Sequence, residues 1–137
     1  MKRYWVSTII AGLLITTGCN SNPSLLKTKG RVKKGAAAFI PKNEDADVQV
    51  VLVPITADGS KPRSYFATVV DQETGQFYAS GGRMEGVPPG KYRAIVALVQ
   101  DRKDTLKGKF DESHSPFVFE ISKNSPEIVI DLDTAPL

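Results

Sequence analysis

The sequence predicts an all-β sandwich of about seven short antiparallel strands, and three observations carry that prediction. Segments with apolar residues at alternate positions recur along the chain at a spacing of roughly ten residues. Turn-forming groups lie between them, among them Lys34-Gly35, Asp58-Gly59, Thr74-Gly75 and Pro88-Pro89-Gly90. Beyond residue 18 no stretch carries the three-to-four spacing of an amphipathic helix. At 137 residues, with 41% hydrophobic and 24% charged content, the chain suits one domain with a single core, placed at residues 25–134.

Taken in order, the chain begins with an address. Met1-Lys2-Arg3 is a short positive segment, and Tyr4 to Thr17 follows without charge, its hydrophobicity carried by Val6, Ile9, Ile10, Leu13, Leu14 and Ile15. That run is shorter than the roughly 18–20 residues a membrane span needs and ends in small residues, the pattern of a signal peptide over residues 1–18. Its last residues, Ile15-Thr16-Thr17-Gly18-Cys19, resemble the lipobox of bacterial lipoproteins, with Gly18 and Cys19 at the two most restrictive positions. Thr16 departs from the box, where a leucine-like residue is usual. The resemblance implies cleavage between Gly18 and Cys19, lipidation of the Cys19 sulfur and acylation of the new N-terminus by a palmitate-type chain. The membrane is then a partner through Cys19, since multiple acyl chains hold a protein where one is marginal. Asn20 rather than Asp after the cysteine implies an outer-membrane destination, facing periplasm or exterior, in a host with two membranes. As the sole cysteine, Cys19 excludes an internal disulfide.

Residues 19–24 form a polar tether containing Pro23. In Leu25–Lys34, Lys27, Lys29, Arg31 and Lys33 alternate with Leu26, Thr28, Gly30 and Val32, which predicts a strand with one basic face. Two roles are open to that face: attraction to anionic head groups near the anchor, or a solvated edge strand whose lysines discourage edge-to-edge pairing. After the Gly35 turn, Ala36–Pro41 is a candidate hairpin return. Asn43-Glu44-Asp45-Ala46-Asp47 is an acidic loop that lacks the central Gly and distal Glu of a calcium loop. Asp47–Ile55 is apolar on both faces and predicts a central strand ended by Pro54. Residues 57–63 are a loop. Ser64–Val70 alternates without declaring whether Tyr65, Ala67 and Val69 or Phe66, Thr68 and Val70 face inward.

Asp71 to Arg93 is the most unusual stretch. Asp71 is placed to bond its own turn, Gly75 to supply a positive φ, and Phe77 to sit on the return strand. Pro88, Pro89 and Gly90 pin the entry to Lys91–Gln100, a second strand apolar on both faces. Tyr92 reads either as a surface aromatic for glycan stacking or as a corner tyrosine with a buried ring and a backbone-bonded hydroxyl. Asp71…Thr74-Gly75…Phe77 followed by Val87-Pro88-Pro89-Gly90-Lys91-Tyr92-Arg93 resembles carboxypeptidase-regulatory-like, or transthyretin-like, domains. The likeness continues through Leu106–Phe110, Ser115-Pro116 and Ile128–Asp133, over roughly residues 25–134, as in small bacterial lipoproteins built on this domain. It implies a prealbumin-like, immunoglobulin-like sandwich serving as an accessory or adhesion module, with no catalytic residues. Asp71, Gly75, Pro88, Pro89, Gly90 and Tyr92 are accordingly read as structural turn residues.

Asp101–Ser115 is the longest irregular stretch and carries the only histidine. Long loops on rigid scaffolds are where binding is usually placed, so Arg102, Lys103, Lys107 and His114 are the candidate contact residues for a protein or glycan. A metal site would draw on His114, Asp111 and Glu112, but one loop without a second histidine is a poor ligand set, and neither metal nor cofactor is expected. Ser113 and Ser115 flank His114 in sequence, which is not the geometry of an activated nucleophile. A hydrolase would need a pocket bringing His114 to an acid from another strand. An isopeptide cross-link lacks a buried lysine and asparagine around a carboxylate. Phe117, Phe119 and Ile121, then Ile128, Ile130 and Leu132, mark two half-buried antiparallel strands, and residues 135–137 are a tail. The formal charge of +3 falls to +1 once Lys2 and Arg3 are removed, which argues against nucleic acid. The expected function is a non-enzymatic, membrane-anchored envelope lipoprotein acting as a structural or interaction module. The alternative is a ligand-binding module using residues 101–115; no feature speaks to oligomeric state.

Overall fold

A computed structural model describes residues 24–60, 65–69, 71, 73–80, 86–125 and 127–134. Among these residues there are nine strands and no helix: β1 (Thr28–Lys34), β2 (Ala37–Ala38), β3 (Ala46–Pro54), β4 (Tyr65–Thr68), β5 (Gln76–Ala79), β6 (Gly90–Gln100), β7 (Lys103–Asp104), β8 (Val118–Ile121) and β9 (Ile128–Asp131). They make two sheets that share one hydrophobic core. The count exceeds seven because β2 and β7 are two-residue pairings.

The larger sheet runs β4-β3-β6, with β7 and β8 both on the far edge of β6. β3 and β6 pair antiparallel over nine positions, from Ala46↔Gln100 to Pro54↔Tyr92, and both are internal, as their two apolar faces predict. Ala46, Val48, Val50 and Leu52 point into the core beside Tyr92, Ala94 and Val96. The inward set on β4 is Tyr65, Ala67 and Val69.

The smaller sheet is built on β1. Gly30 and Arg31 pair with β5 and with β9, so these flank β1 on opposite edges, and β2 continues the β5 side. The edge-strand reading of the basic segment is therefore wrong: β1 is internal, because β9 arrives from the far end of the sequence to cover its second edge. β9 also departs from the expected antiparallel pattern, pairing parallel with β1 from Gly30↔Ile128 to Lys33↔Asp131. The reason is connectivity. β8 belongs to the larger sheet, and the turn after it carries the chain across to the smaller one, where it runs in the direction of β1. Every other strand pairing is antiparallel.

The hairpin around Asp71 likewise spans the two sheets. β4 pairs with β3, β5 pairs with β1, and a single Val69↔Phe77 bridge joins them. Phe77 is fully buried and lies across from Gly30. A Cβ at Gly30 would stand 2.3 Å from the Phe77 Cζ, so the ring occupies the space a side chain would need. Val87 fixes the start of the domain, exchanging hydrogen bonds of 2.8 and 2.9 Å with Leu26.

Candidate functional site

The turn residues form a hydrogen-bonded frame. Asp71 Oδ1 accepts from the Glu73 and Thr74 N–H groups at 2.8 and 3.0 Å, and the Gly75 N–H donates to the Asp71 carbonyl at 2.8 Å. The Thr74 and Glu73 amides hold the Asp71 carboxyl below its usual range. Gly75 has φ +66°, and a Cβ there would lie 2.6 Å from the Val32 carbonyl, so the turn also rests directly on β1. Pro88 and Pro89 precede Gly90 at the start of β6. Tyr92 is a core residue, 2% exposed, and its hydroxyl donates to the Pro88 carbonyl at 2.7 Å. Burial pushes that hydroxyl up to about 12, with Tyr65 adding to the effect. Its ring meets Tyr65 edge-on at 6.1 Å and is not available for stacking on a glycan.

Residues 101–115 are not an open loop. They run back along the free edge of β6 and satisfy its backbone: Val96 N–H bonds to the Phe110 carbonyl at 3.1 Å and Ala94 N–H to the Phe117 carbonyl at 2.9 Å. Asp104, the last residue of β7, accepts through its carboxylate from Leu98, Leu106 and Gly108 N–H groups at 3.1, 2.9 and 2.8 Å. Phe110 is buried, and the Ser115 hydroxyl donates to the Ala94 carbonyl. Arg102, Lys103, Lys107 and His114 are all exposed, but they do not converge. Arg102 and Lys103 sit at the tip beyond Gln100, whereas the end of the segment lies opposite Ala94, six strand residues or about 20 Å away.

His114 Nδ1 lies 2.8 Å from Asp111 Oδ1, which also accepts from the Ser113 and His114 N–H groups at 2.9 Å each. The His114 side chain chiefly, helped by those amides, keeps the Asp111 carboxyl low. The acid beside His114 thus comes from its own turn, and Glu112 contributes only its carbonyl, to Arg93 Nη1 at 2.8 Å. Among the described residues no three His, Cys, Asp or Glu side chains are grouped to hold a metal. The Arg93 Nε is the one buried side-chain polar atom there without a partner, beside a small cleft of about 190 Å³ near Ile55, Thr56 and Ser60.

The outer face of the smaller sheet was foreseen only in part. Lys27, Lys29 and Arg31 are exposed and Lys33 is half-buried, which is the basic face the alternation predicts. Acids from β9 and the residue before it meet it: Arg31 Nε is 3.5 Å from Glu127 Oε2, and Lys33 Nζ is 3.0 Å from Asp131 Oδ2. Lys33, then the Asp133 and Gly35 amides, hold the Asp131 carboxyl low. Lys29 lies 5.7 Å above the Tyr78 ring. A cleft of about 340 Å³ opens where β1 begins, lined by Lys27 and Lys29 and, across it, by Lys123, Ser125 and Glu127 of the β8–β9 connection. Nothing in the local sequence around Lys123 announces this meeting; only the crossing of the chain between sheets creates it.

Gly18 and Cys19, the signal segment, residues 19–23 of the tether and the tail at 135–137 lie outside the described residues. No described helix is long and apolar enough to cross a membrane. Comparisons with family models, with curated proteins and with solved structures find no match to this chain.

Proposed function

We propose that the protein is a lipid-anchored envelope lipoprotein, held in the membrane through Cys19, whose β-sandwich is a non-enzymatic structural or interaction module. The observation that carries the reading is the position of the sole cysteine, directly after Gly18 at the end of an uncharged apolar run and ahead of a polar tether and a folded domain. A prealbumin-like, immunoglobulin-like arrangement of the transthyretin-like kind is part of the same reading. The Asp71–Gly75 turn, the Pro88–Tyr92 corner and the pairing of two sheets over one core support it. An outer-membrane location follows from Asn20. The test is radiolabelled palmitate incorporation with membrane fractionation of wild type and Cys19→Ala. Wild type takes up label and sediments with the outer membrane; an unlabelled, membrane-bound wild type would remove the assignment.

One observation favours contact at the tip of residues 101–115 as a second reading. Asp101 and Arg102 both adopt left-handed backbone, φ +50° and +62°, which holds Arg102 and Lys103 out at the end of β6. Non-glycine residues in that region concentrate at functional sites. A partner protein or glycan with acidic groups suits this tip. Cross-linking in intact cells checks it, since Arg102→Ala with Lys103→Ala and Lys107→Ala should abolish any adduct that depends on it.

A further inference from the structure

We propose that the cleft between Lys27, Lys29 and Lys123 binds the phosphate of an anionic lipid headgroup, seating the domain on the bilayer that holds its anchor. The choice of lipid over other phosphates rests on the anchored reading above; the site itself rests on the cleft.

Three lysines, Lys27, Lys29 and Lys123, line the cleft against one acid, Glu127, whose Oε2 already faces Arg31 Nε at 3.5 Å. Neither Lys27 nor Lys123 has a carboxylate partner among the described residues, where the ion pairs are Arg31–Glu127, Lys33–Asp131 and His114–Asp111. Lysines without a carboxylate partner that share one cleft act as point charges for phosphate. The far wall is held in place. Ser125 Oγ accepts from the Ser122 N–H at 2.8 Å and donates to the Glu120 carbonyl at 2.8 Å, and the Ser125 N–H bonds to the Ser122 carbonyl at 3.1 Å. This lacing fixes the turn carrying Lys123 opposite β1. The near wall is fixed by the two hydrogen bonds between Leu26 and Val87.

Position selects the ligand. Lys27 follows Cys19 by eight residues, so a fully extended chain places it within about 28 Å of the anchor. The cleft lining begins at Leu26, two residues after the tether ends. Polybasic groups so close to a membrane are drawn to anionic lipid, each lysine contributing about a fivefold gain in association.

The experiment uses the full chain purified from membranes and reconstituted into vesicles of phosphatidylcholine, with or without phosphatidylglycerol. Lysine reactivity towards an amine acylating reagent is read by mass spectrometry, and the same digest reports lipid at Cys19. Lys27, Lys29 and Lys123 are expected to lose about fivefold in reactivity when phosphatidylglycerol is present, with Lys103 and Lys107 unchanged. Equal reactivity in the two vesicles overturns the site. Equal protection by inorganic phosphate added to phosphatidylcholine vesicles overturns the lipid assignment. A chain without lipid at Cys19 overturns the anchored reading alone, and protection of the three lysines on phosphatidylglycerol vesicles in that chain still supports the cleft. The variant Lys27→Gln/Lys29→Gln/Lys123→Gln changes only exposed side chains, and its remaining lysines should show no dependence on phosphatidylglycerol.

Discussion

Gly30 is the residue on which β1 and β5 fit against each other, and its requirement is space rather than backbone freedom. Its missing Cβ leaves room for the far end of the Phe77 ring, which has no exposed surface, against β1. Forcing atoms into a filled core costs about 1–3 kcal/mol. Gly30→Ala should therefore lower unfolding free energy by about 2 kcal/mol in urea titrations, and Phe77→Leu in the same chain should recover part of that loss. Lack of recovery would show that the ring is not the obstacle. Tyr92 is the second such residue. Removing its hydroxyl leaves the Pro88 carbonyl unsatisfied, so Tyr92→Phe should cost about 1–2 kcal/mol near neutral pH. Its raised value also sets an alkaline limit. The folded state keeps the proton that the unfolded chain gives up near 10, so stability is whole below pH 10 and falls as pH rises towards 12. Tyr92→Phe should flatten that fall, which denaturant midpoints between pH 9 and about 12 would record.

At the scale of elements, the strands were legible and one turn system was not. Alternation places Ile128, Ile130 and Leu132 inward at the chain's end, where burial puts them, and the two apolar faces of β3 place it inside its sheet, where it pairs with β4 and β6. Burial of one face decides such segments locally. The return along β6 escaped because beyond the two-residue β7 it meets β6 at separate points, through the Phe110 carbonyl, the Asp104 carboxylate and the Ser115 hydroxyl, not along a continuous ladder. Its sign was nonetheless present: Asp104 precedes Gly108 by four residues, as Asp71 precedes Gly75, and both carboxylates gather the amides that follow. The first spacing sits beside strong alternation and reads as a hairpin; the second lies among lysines and reads as loop. The Lys27–Lys123 cleft was not legible at all, since it depends on where β9 crosses. The β6–β7 tip offers a test of its own. A two-residue hairpin loop with both φ values positive favours Asn-Gly or Asp-Gly, and here Arg102 fills the second place at φ +62°. Arg102→Gly should raise stability by about 0.5–1 kcal/mol, measured as a higher urea midpoint with unchanged slope. No gain would mean that the tip is not strained.

For the whole molecule, carboxylates act as the fasteners of the sandwich. Asp71, Asp111 and Asp131 each accept several backbone or side-chain hydrogen bonds, which hold each carboxyl below its usual range. The unfolded chain then binds protons first on acidification, so stability is complete above pH 4 and declines as pH falls through the folded values. Circular dichroism of denaturant midpoints from pH 5 downward should show that decline, and Asp131→Asn should make it shallower. Asp131 carries more than its share because it reaches the Gly35 amide at 3.0 Å across 96 positions of chain. The β1–β9 pairing around that bond has a consequence in time. The second edge of β1 can be covered only after β9 has been synthesised, so a nascent chain cannot close its smaller sheet until Asp131 has emerged. Contacts this distant make folding slow. Until β9 arrives, the smaller sheet presents the second edge of β1 unpaired.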